Sequence, residues 1–284
     1  MGFDNYTTRV NSKLNEYLSA QSSLSEAMRY SVLCGGKRFR PILTYCVANT
    51  FNTSLDLADS SACAVELIHA YSLIHDDLPA MDDDDIRHNQ PSCHVRFGEA
   101  QAILAGDGLQ ALAFEVLVSD KNIAAEIKIN LLENLTHASF EMAEGQAIDL
   151  SIVAKDVDIN LLENMHKKKT GSLLSCAVNL GAIVSGSCNN NDADLLDSFS
   201  KDIGLAYQIQ DDVLDVETPG SVLGKKQNSD MDKNKPTYPS LLGLEESKLA
   251  YKKLYERAND KLGSLSVDAS ELMQLSIKLQ SRGF

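Results

Sequence analysis

Ala62-Cys63-Ala64-Val65-Glu66-Leu67-Ile68-His69-Ala70-Tyr71-Ser72-Leu73-Ile74-His75-Asp76-Asp77-Leu78-Pro79-Ala80-Met81-Asp82-Asp83-Asp84-Asp85-Ile86-Arg87 is the stretch whose reading decides both fold and chemistry. Its first half keeps Val65, Leu67, Ile68, Tyr71 and Ile74 on one broad face, the spacing of a helix with a buried side. Its second half places six aspartates within ten positions, with no polar linker before them. Like charges that dense repel one another, so a chain keeps them only in water or around cations. An isolated acidic run is usually a solvated loop. This one is interrupted by Leu78-Pro79-Ala80-Met81 and bounded by Arg87, unlike a disordered acidic tail. On a straight helix Asp76 and Asp82 would lie about 240° apart, at about 100° per residue. Pro79 removes an N–H and clashes with the preceding turn, so the helix should end or kink near Leu78. The chain can then curl to bring Asp82 back toward Asp76. Carboxylates are hard oxygen ligands, suited to Mg²⁺ that also keeps water and substrate phosphate.

Outward from this stretch, helical periodicity recurs over residues 8–20, 24–34, 40–50, 100–118, 122–150, 158–168, 171–186, 192–216, 246–262 and 269–281. No convincing alternating strand is found. The breaks, at Ser22-Ser23, Gly35-Gly36, Asn52-Thr53, Ser119-Asp120 and Asn189 to Asp192, are polar caps or glycine. Without a long linker or repeat, residues 1–284 read as one all-α domain of ten or more helices. With 44% apolar residues the chain is long enough for a large core. A formal net charge of -14 disfavours nonspecific binding to nucleic acid or to an anionic membrane. It would also repel an anionic substrate unless metal ions invert the local sign. Six cysteines with no C-x-x-C pair point to a reducing compartment and no structural zinc. The first residues show neither a basic nor an apolar signal segment. The longest apolar runs, such as Gln110–Val118, fall short of the roughly 20 residues of a membrane span. A cytoplasmic protein without a membrane span is therefore expected.

Four further stretches carry chemistry. Gly35-Gly36-Lys37-Arg38-Phe39-Arg40 frees the backbone and supplies three cations, which suits an anion with several oxygens; a helix C-cap with basic residues is the plain alternative. Gln146 and Asp149 share a helix face, most simply a solvated one. Lys167-Lys168-Lys169-Thr170-Gly171 closes a helix, its lysines either serving the helix C-terminus or aimed at an anion. Asp211 and Asp215, with Asp212 between them, stack at i and i+4 among Ile209, Val213 and Leu214, where buried aspartates need a cation. The segment from Leu223 to Pro239, with Lys225 and Lys235, fits a basic loop over an anion better than a P-loop or an EF-hand.

Gly-Gly-Lys-Arg-Phe-Arg-Pro (35–41), Asp-Asp-Leu-Pro-Ala-Met-Asp (76–82), Gly-Gln-Ala-Ile-Asp-Leu (145–150), Lys-Thr-Gly (169–171), Gln-Asp-Asp-Val-Leu-Asp (210–215) and Gly-Lys…Lys-Pro-Thr-Tyr-Pro (224–239) stand here in order. In that order they resemble the trans-isoprenyl diphosphate synthases, most closely the bacterial farnesyl diphosphate synthases, over about residues 25–245. The resemblance implies the all-α isoprenoid synthase fold with a central active-site cavity, and usually a homodimer. It implies head-to-tail condensation of isopentenyl diphosphate with dimethylallyl or geranyl diphosphate to farnesyl diphosphate. It further implies about three Mg²⁺, held by Asp76, Asp82 and Asp211 with Asp77, Asp212 and Asp215. Lys169 and Lys225 would hold the allylic diphosphate, and Arg87 would contact it. Thr170 and Gln208 would line the cation. Lys37, Arg40, His69, His88 and Lys235 would bind substrate, the first three gripping isopentenyl diphosphate. Tyr71, five positions before Asp76 and followed by Ser72, would floor the chain pocket. One position departs: the family usually has Arg-Arg where this chain has Arg87-His88, which implies weaker and more pH-sensitive binding of isopentenyl diphosphate. Rival readings are a geranylgeranyl or geranyl diphosphate synthase, a terpene cyclase, and a non-catalytic acidic metal-binding protein.

Overall fold

In the computed structural model, which describes residues 2–19, 22–217 and 235–281, Ala62 to Asp76 is the end of a helix buried nearly all round. This helix, Leu55–Asp76, buries every residue from Ala58 to Ile68, where periodicity alone implied one buried face. A helix buried on all sides belongs inside a core, and the two carboxylates in this span, Asp59 and Glu66, are paired there with Arg9 and Arg38. The structure divides into two compact units, residues Met1–Leu135 with Leu180–Gly186, and Thr136–Asn179 with Ser187–Phe284.

In the first unit α1 (Phe3–Tyr17), α2 (Ser23–Leu33), α3 (Phe39–Thr50) and α6 (Glu99–Ser119) surround α4, the Leu55–Asp76 helix. Tyr6 and Tyr45 stack at 5.4 Å between α1 and α3. Arg9 clamps Asp59, which also accepts the Tyr45 hydroxyl at 2.8 Å. Between α4 and α6 lie a hairpin, β1 (Ile86–Arg87) with β2 (Gln90–Pro91), and the short α5 (Cys93–Phe97). The α6 helix corrects one expectation. Among the described residues it is the one helix long and apolar enough to cross a membrane by length and composition, and the Gln110–Val118 run understated it. Its Ala102, Ala105, Leu109, Ala113, Val116 and Leu117 are buried, and it packs on α4 and α2. We therefore read it as a core helix of this unit.

The second unit takes the later part of α7 (Ala125–Ile152), then α8 (Ile159–His166), a π-helical turn (Lys167–Gly171), α9 (Ser172–Ser185, as far as Asn179) and α10 (Asn190–Glu217). It closes with α11 (Tyr238–Leu242), α12 (Leu244–Gly263) and α13 (Ser270–Gln280). The α10 and α12 helices pack along each other. Ile152, Leu162, Met165, Leu205, Ile209 and Tyr238 form one core cluster. Buried Asp202 is answered by Arg257 and by Lys261. The hairpin, α5 and α11 escaped the sequence reading because elements of two to five residues complete no readable period.

Candidate active site

The aspartate stretch curls as the position of Pro79 implies. Helix α4 stops at Asp76, and Asp77 caps it. The Asp82 N–H then donates to the Asp76 carbonyl at 2.9 Å, and the Asp84 N–H to the Asp77 carbonyl at 3.2 Å. Asp82 is thus returned to the helix end that carries Asp76. Asp77 is different: its buried carboxylate is gripped in a fork by Arg87, with Nε donating to Oδ2 at 3.2 Å and Nη2 donating to Oδ1. Asp83 and Asp85 are exposed. Arg87 reaches Asp77 from the hairpin, whose turn residues His88 and Asn89 both have positive φ (52° and 61°), the geometry of a type I′ turn.

The basic loop sorts its three cations. Arg38 is a buried brace, donating to Asn11 Oδ1 at 2.8 Å, Glu66 Oε1 at 2.8 Å and the Val32 carbonyl. Lys37 is exposed and Arg40 half-buried at the start of α3. Gly36, at φ 101°, allows this turn, and the His88 ring lies against Gly35 and Gly36. Burial, then the charges of Arg40, His88, Arg87 and Arg38, push His69 well below the ordinary imidazole value. Burial, Arg87 and Arg38 lower His88 as well, although that residue as a whole is exposed. Arg40, His69, Arg87 and His88 therefore gather into one positive cluster, short of charge at its two imidazoles. On the same helix Tyr71 is half-buried and meets the His75 ring edge-on at 5.4 Å. His75 Nε2 in turn sits 3.0 Å from the Ile103 carbonyl oxygen. The Ser72 hydroxyl donates back to the His69 carbonyl at 2.9 Å.

In the second unit the lysine run does not close a helix. It forms the π-turn that joins α8 to α9, a device that concentrates at functional sites. The turn aims its lysines at different acids: Lys167 at Glu163, Lys168 at Glu141 and Glu144, Lys169 at Asp149. Asp149 and Gln146 are both buried, so the solvated-face reading of that pair is overturned. Asp149 Oδ2 takes Lys169 Nζ at 2.6 Å and Lys235 Nζ at 3.0 Å. Burial opposes its ionisation, but the two ammonium groups outweigh burial and hold its carboxyl below the usual range. The Thr170 hydroxyl donates to Gln208 Oε1 at 2.8 Å. Asp211 is half-buried on α10 and Asp215 buried one turn on. Asp212 is buried and accepts bonds at both oxygens, from Gln208, His166 and the Tyr238 N–H. Lys225, expected beside the allylic diphosphate, lies outside the described residues.

Asp76 with Asp82, and Asp211 with Asp215, are oxygen-only donors. Among the described residues no three His, Cys, Asp or Glu side chains form a ready-made cage. Donors offered in ones and twos, with the remaining positions left to water and substrate oxygen, are what Mg²⁺ takes. The residues present fit that ion.

A family model described as polyprenyl synthetase matches residues 21–272. The chain belongs to the polyprenyl synthetase family. Membership makes it a prenyl-transferring enzyme, and the relatives agree. The farnesyl diphosphate synthase of Escherichia coli is 46% identical over 263 residues, covering 88% of this chain and 86% of that protein. A geranyltransferase from Legionella pneumophila has the same fold, with TM-score 0.89 at 35% identity, covering 99% of this chain and 95% of that one. A geranyltransferase from Helicobacter pylori, solved with magnesium and isoprenyl diphosphate, has TM-score 0.87 at 30% identity, covering 98% and 94%. Within this family member, three features escaped the sequence reading: the π-turn, the Arg87–Asp77 fork and the network around Asp212. Each joins residues whose partners no local period reveals.

Proposed function

We propose that this chain condenses isopentenyl diphosphate head-to-tail with dimethylallyl and then geranyl diphosphate, releasing farnesyl diphosphate. What carries the reading is the backbone curl that sets Asp82 on Asp76 at the end of a buried helix, in a chain so similar to a farnesyl diphosphate synthase. Bound Mg²⁺ would neutralise charge on the departing diphosphate, held by Asp76, Asp82, Asp211 and Asp215. Lys169 and Lys235, oriented by Asp149, bind diphosphate oxygens. Thr170 and Gln208 face the allylic carbon as its C–O bond breaks and the electron pair leaves with diphosphate. Lys37, Arg40 and His69 hold isopentenyl diphosphate, whose double bond forms the new C–C bond. The proton then lost from that unit passes to the released diphosphate. The direct test is to incubate the protein with isopentenyl and dimethylallyl diphosphates plus Mg²⁺ and size the products. No condensation product sinks the synthase reading, and a C20 product sinks only the length.

Tyr71 is the reason for choosing C15. It stands five residues, about 7.5 Å of helix, before Asp76, and its ring is braced by His75. Tyr71→Ala is expected to shift the main product to C20 or longer; an unchanged product by chromatography removes Tyr71 as the floor.

His88 supplies the next test. Its lowered pKa leaves the imidazole neutral above about pH 6.5, so it adds no charge to the isopentenyl diphosphate site there. His88→Arg is expected to lower that substrate's KM several-fold from about pH 7 to 8.5. The gap should narrow as pH falls below about 6.5 and the wild-type imidazole gains its proton. Parallel profiles overturn the assignment. The sign for stability is opposite. Groups held neutral by the fold, His69 and His88, contribute fully above their unfolded value and lose that contribution on acidification.

The enzyme is further proposed to act as a cytoplasmic homodimer. Six free cysteines suit a reducing compartment, and Ile103, Leu104, Ile129 and Phe140 are apolar yet exposed along α6 and α7. Sedimentation at the mass of one chain would rule the dimer out.

A further inference from the structure

We infer that Asp212 is a positioning residue, not a metal ligand. It sets the direction of a hydrogen-bond chain so that Thr170 presents oxygen lone pairs, never its proton, to whatever lies against it. Both Asp212 oxygens are already engaged. Oδ2 accepts the Tyr238 N–H at 3.0 Å and lies 3.2 Å from His166 Nε2, whose ring stacks on Tyr238 at 5.7 Å. Oδ1 accepts Gln208 Nε2 at 3.1 Å. A carboxylate only accepts, so its polarity propagates outward without choice. Gln208 must turn its N–H₂ to Asp212 and therefore its carbonyl oxygen to Thr170. The Thr170 hydroxyl must donate to that oxygen, at 2.8 Å. Its single proton is spent there, and its lone pairs remain. Given the reading above, in which Thr170 lines the allylic cation, these are the atoms that stabilise positive charge. Asp212 also ties the chain at Tyr238, three residues beyond Lys235, to the same network. The Lys235 ammonium itself is held by Asp149, so Asp212 fixes the backbone that follows Lys235 and, through Gln208, the Thr170 hydroxyl.

The test reverses the chain and then restores it. In Asp212→Asn the side-chain carbonyl must serve Tyr238 and His166, so its amide N–H₂ faces Gln208. Gln208 then flips, and the Thr170 proton turns outward. In Gln208→Glu two acceptors face each other across the Asp212 contact. In the double variant the new carboxylate at position 208 accepts both from the new amide at position 212 and from the Thr170 hydroxyl. The original direction then returns at unchanged net charge. Each single variant is expected to lose about 10- to 100-fold in kcat, the worth of one hydrogen bond to a charged group, with the KM of the allylic substrate changed less than about threefold. The double variant is expected to regain at least about tenfold over Asp212→Asn. A double variant as slow as the slower single, or a single Asp212→Asn that loses affinity for inorganic diphosphate with Mg²⁺, overturns the inference and makes Asp212 a ligand. Should Asp212→Asn fail to fold, Thr170→Val tests the same point. It should lose kcat at constant KM, and wild-type kcat there overturns the inference. Wild-type protein without condensation activity would instead sink the proposed function itself.

Discussion

Gly145→Ala is expected to cut kcat by about 100-fold and to lower the melting temperature by several degrees. The Cβ it adds would fall on the Lys169 backbone nitrogen and Cα and the Lys168 carbonyl carbon, well inside contact distance. The obstacle is backbone inside the π-turn, so no side-chain rotation relieves it. Overpacking of this kind costs about 1–3 kcal/mol, occasionally more. The chain can escape only by moving the turn, which carries Lys169 toward Asp149 and Thr170 toward Gln208. A displacement of about 1 Å in positioning groups is enough for a hundredfold loss. Thermal melting and steady-state kinetics with the allylic substrate decide it. A variant that melts and turns over like wild type shows that the close approach at Gly145 is dispensable.

The second large effect is on stability. Arg38→Met should destabilise the protein by about 3–5 kcal/mol, because it strands a buried carboxylate. Arg38 and Glu66 are 6% and 4% exposed at their side chains and 2.8 Å apart. Glu66 Oε2 has no hydrogen-bond partner among the described residues, so Arg38 is what keeps that charge tolerable. Adding Glu66→Leu should recover much of the loss, since a buried pair replaced by apolar side chains is often neutral. Recovery stays incomplete, because Asn11 and the Val32 carbonyl also lose their donor. Urea denaturation of the two variants measures both steps. An Arg38→Met protein as stable as wild type would mean that the buried Arg38–Glu66 pair contributes nothing to the fold. The neighbouring Lys37 and Arg40 carry no such expectation, although in sequence the three cations look alike.

Much of this enzyme was legible in the chain. The all-α fold followed from helical spacing and polar breaks. The curl at Pro79 followed from a missing N–H, and it places Asp82 on Asp76 as the spacing required. The pairing at i and i+4 put Asp211 and Asp215 on adjacent turns of one helix. Such properties belong to the local backbone, whose period and breaks are written residue by residue.

Tertiary structure decided which of several identical side chains does what. Three lysines in a row separate because a π-turn sends them to acids on α7 and α8, with Lys169 alone meeting buried Asp149. Arg38 becomes a brace and Arg87 a clamp on Asp77, while Asp212 is drawn away from Asp211 by three donors. The physical reason is that a pattern of apolar residues records how much of a helix is buried, not what it is buried against. Arg38 and Glu66 are 28 positions apart, and His166 and Asp212 are 46. Burial made each of these partners obligatory, but only the packing of the helices could supply it.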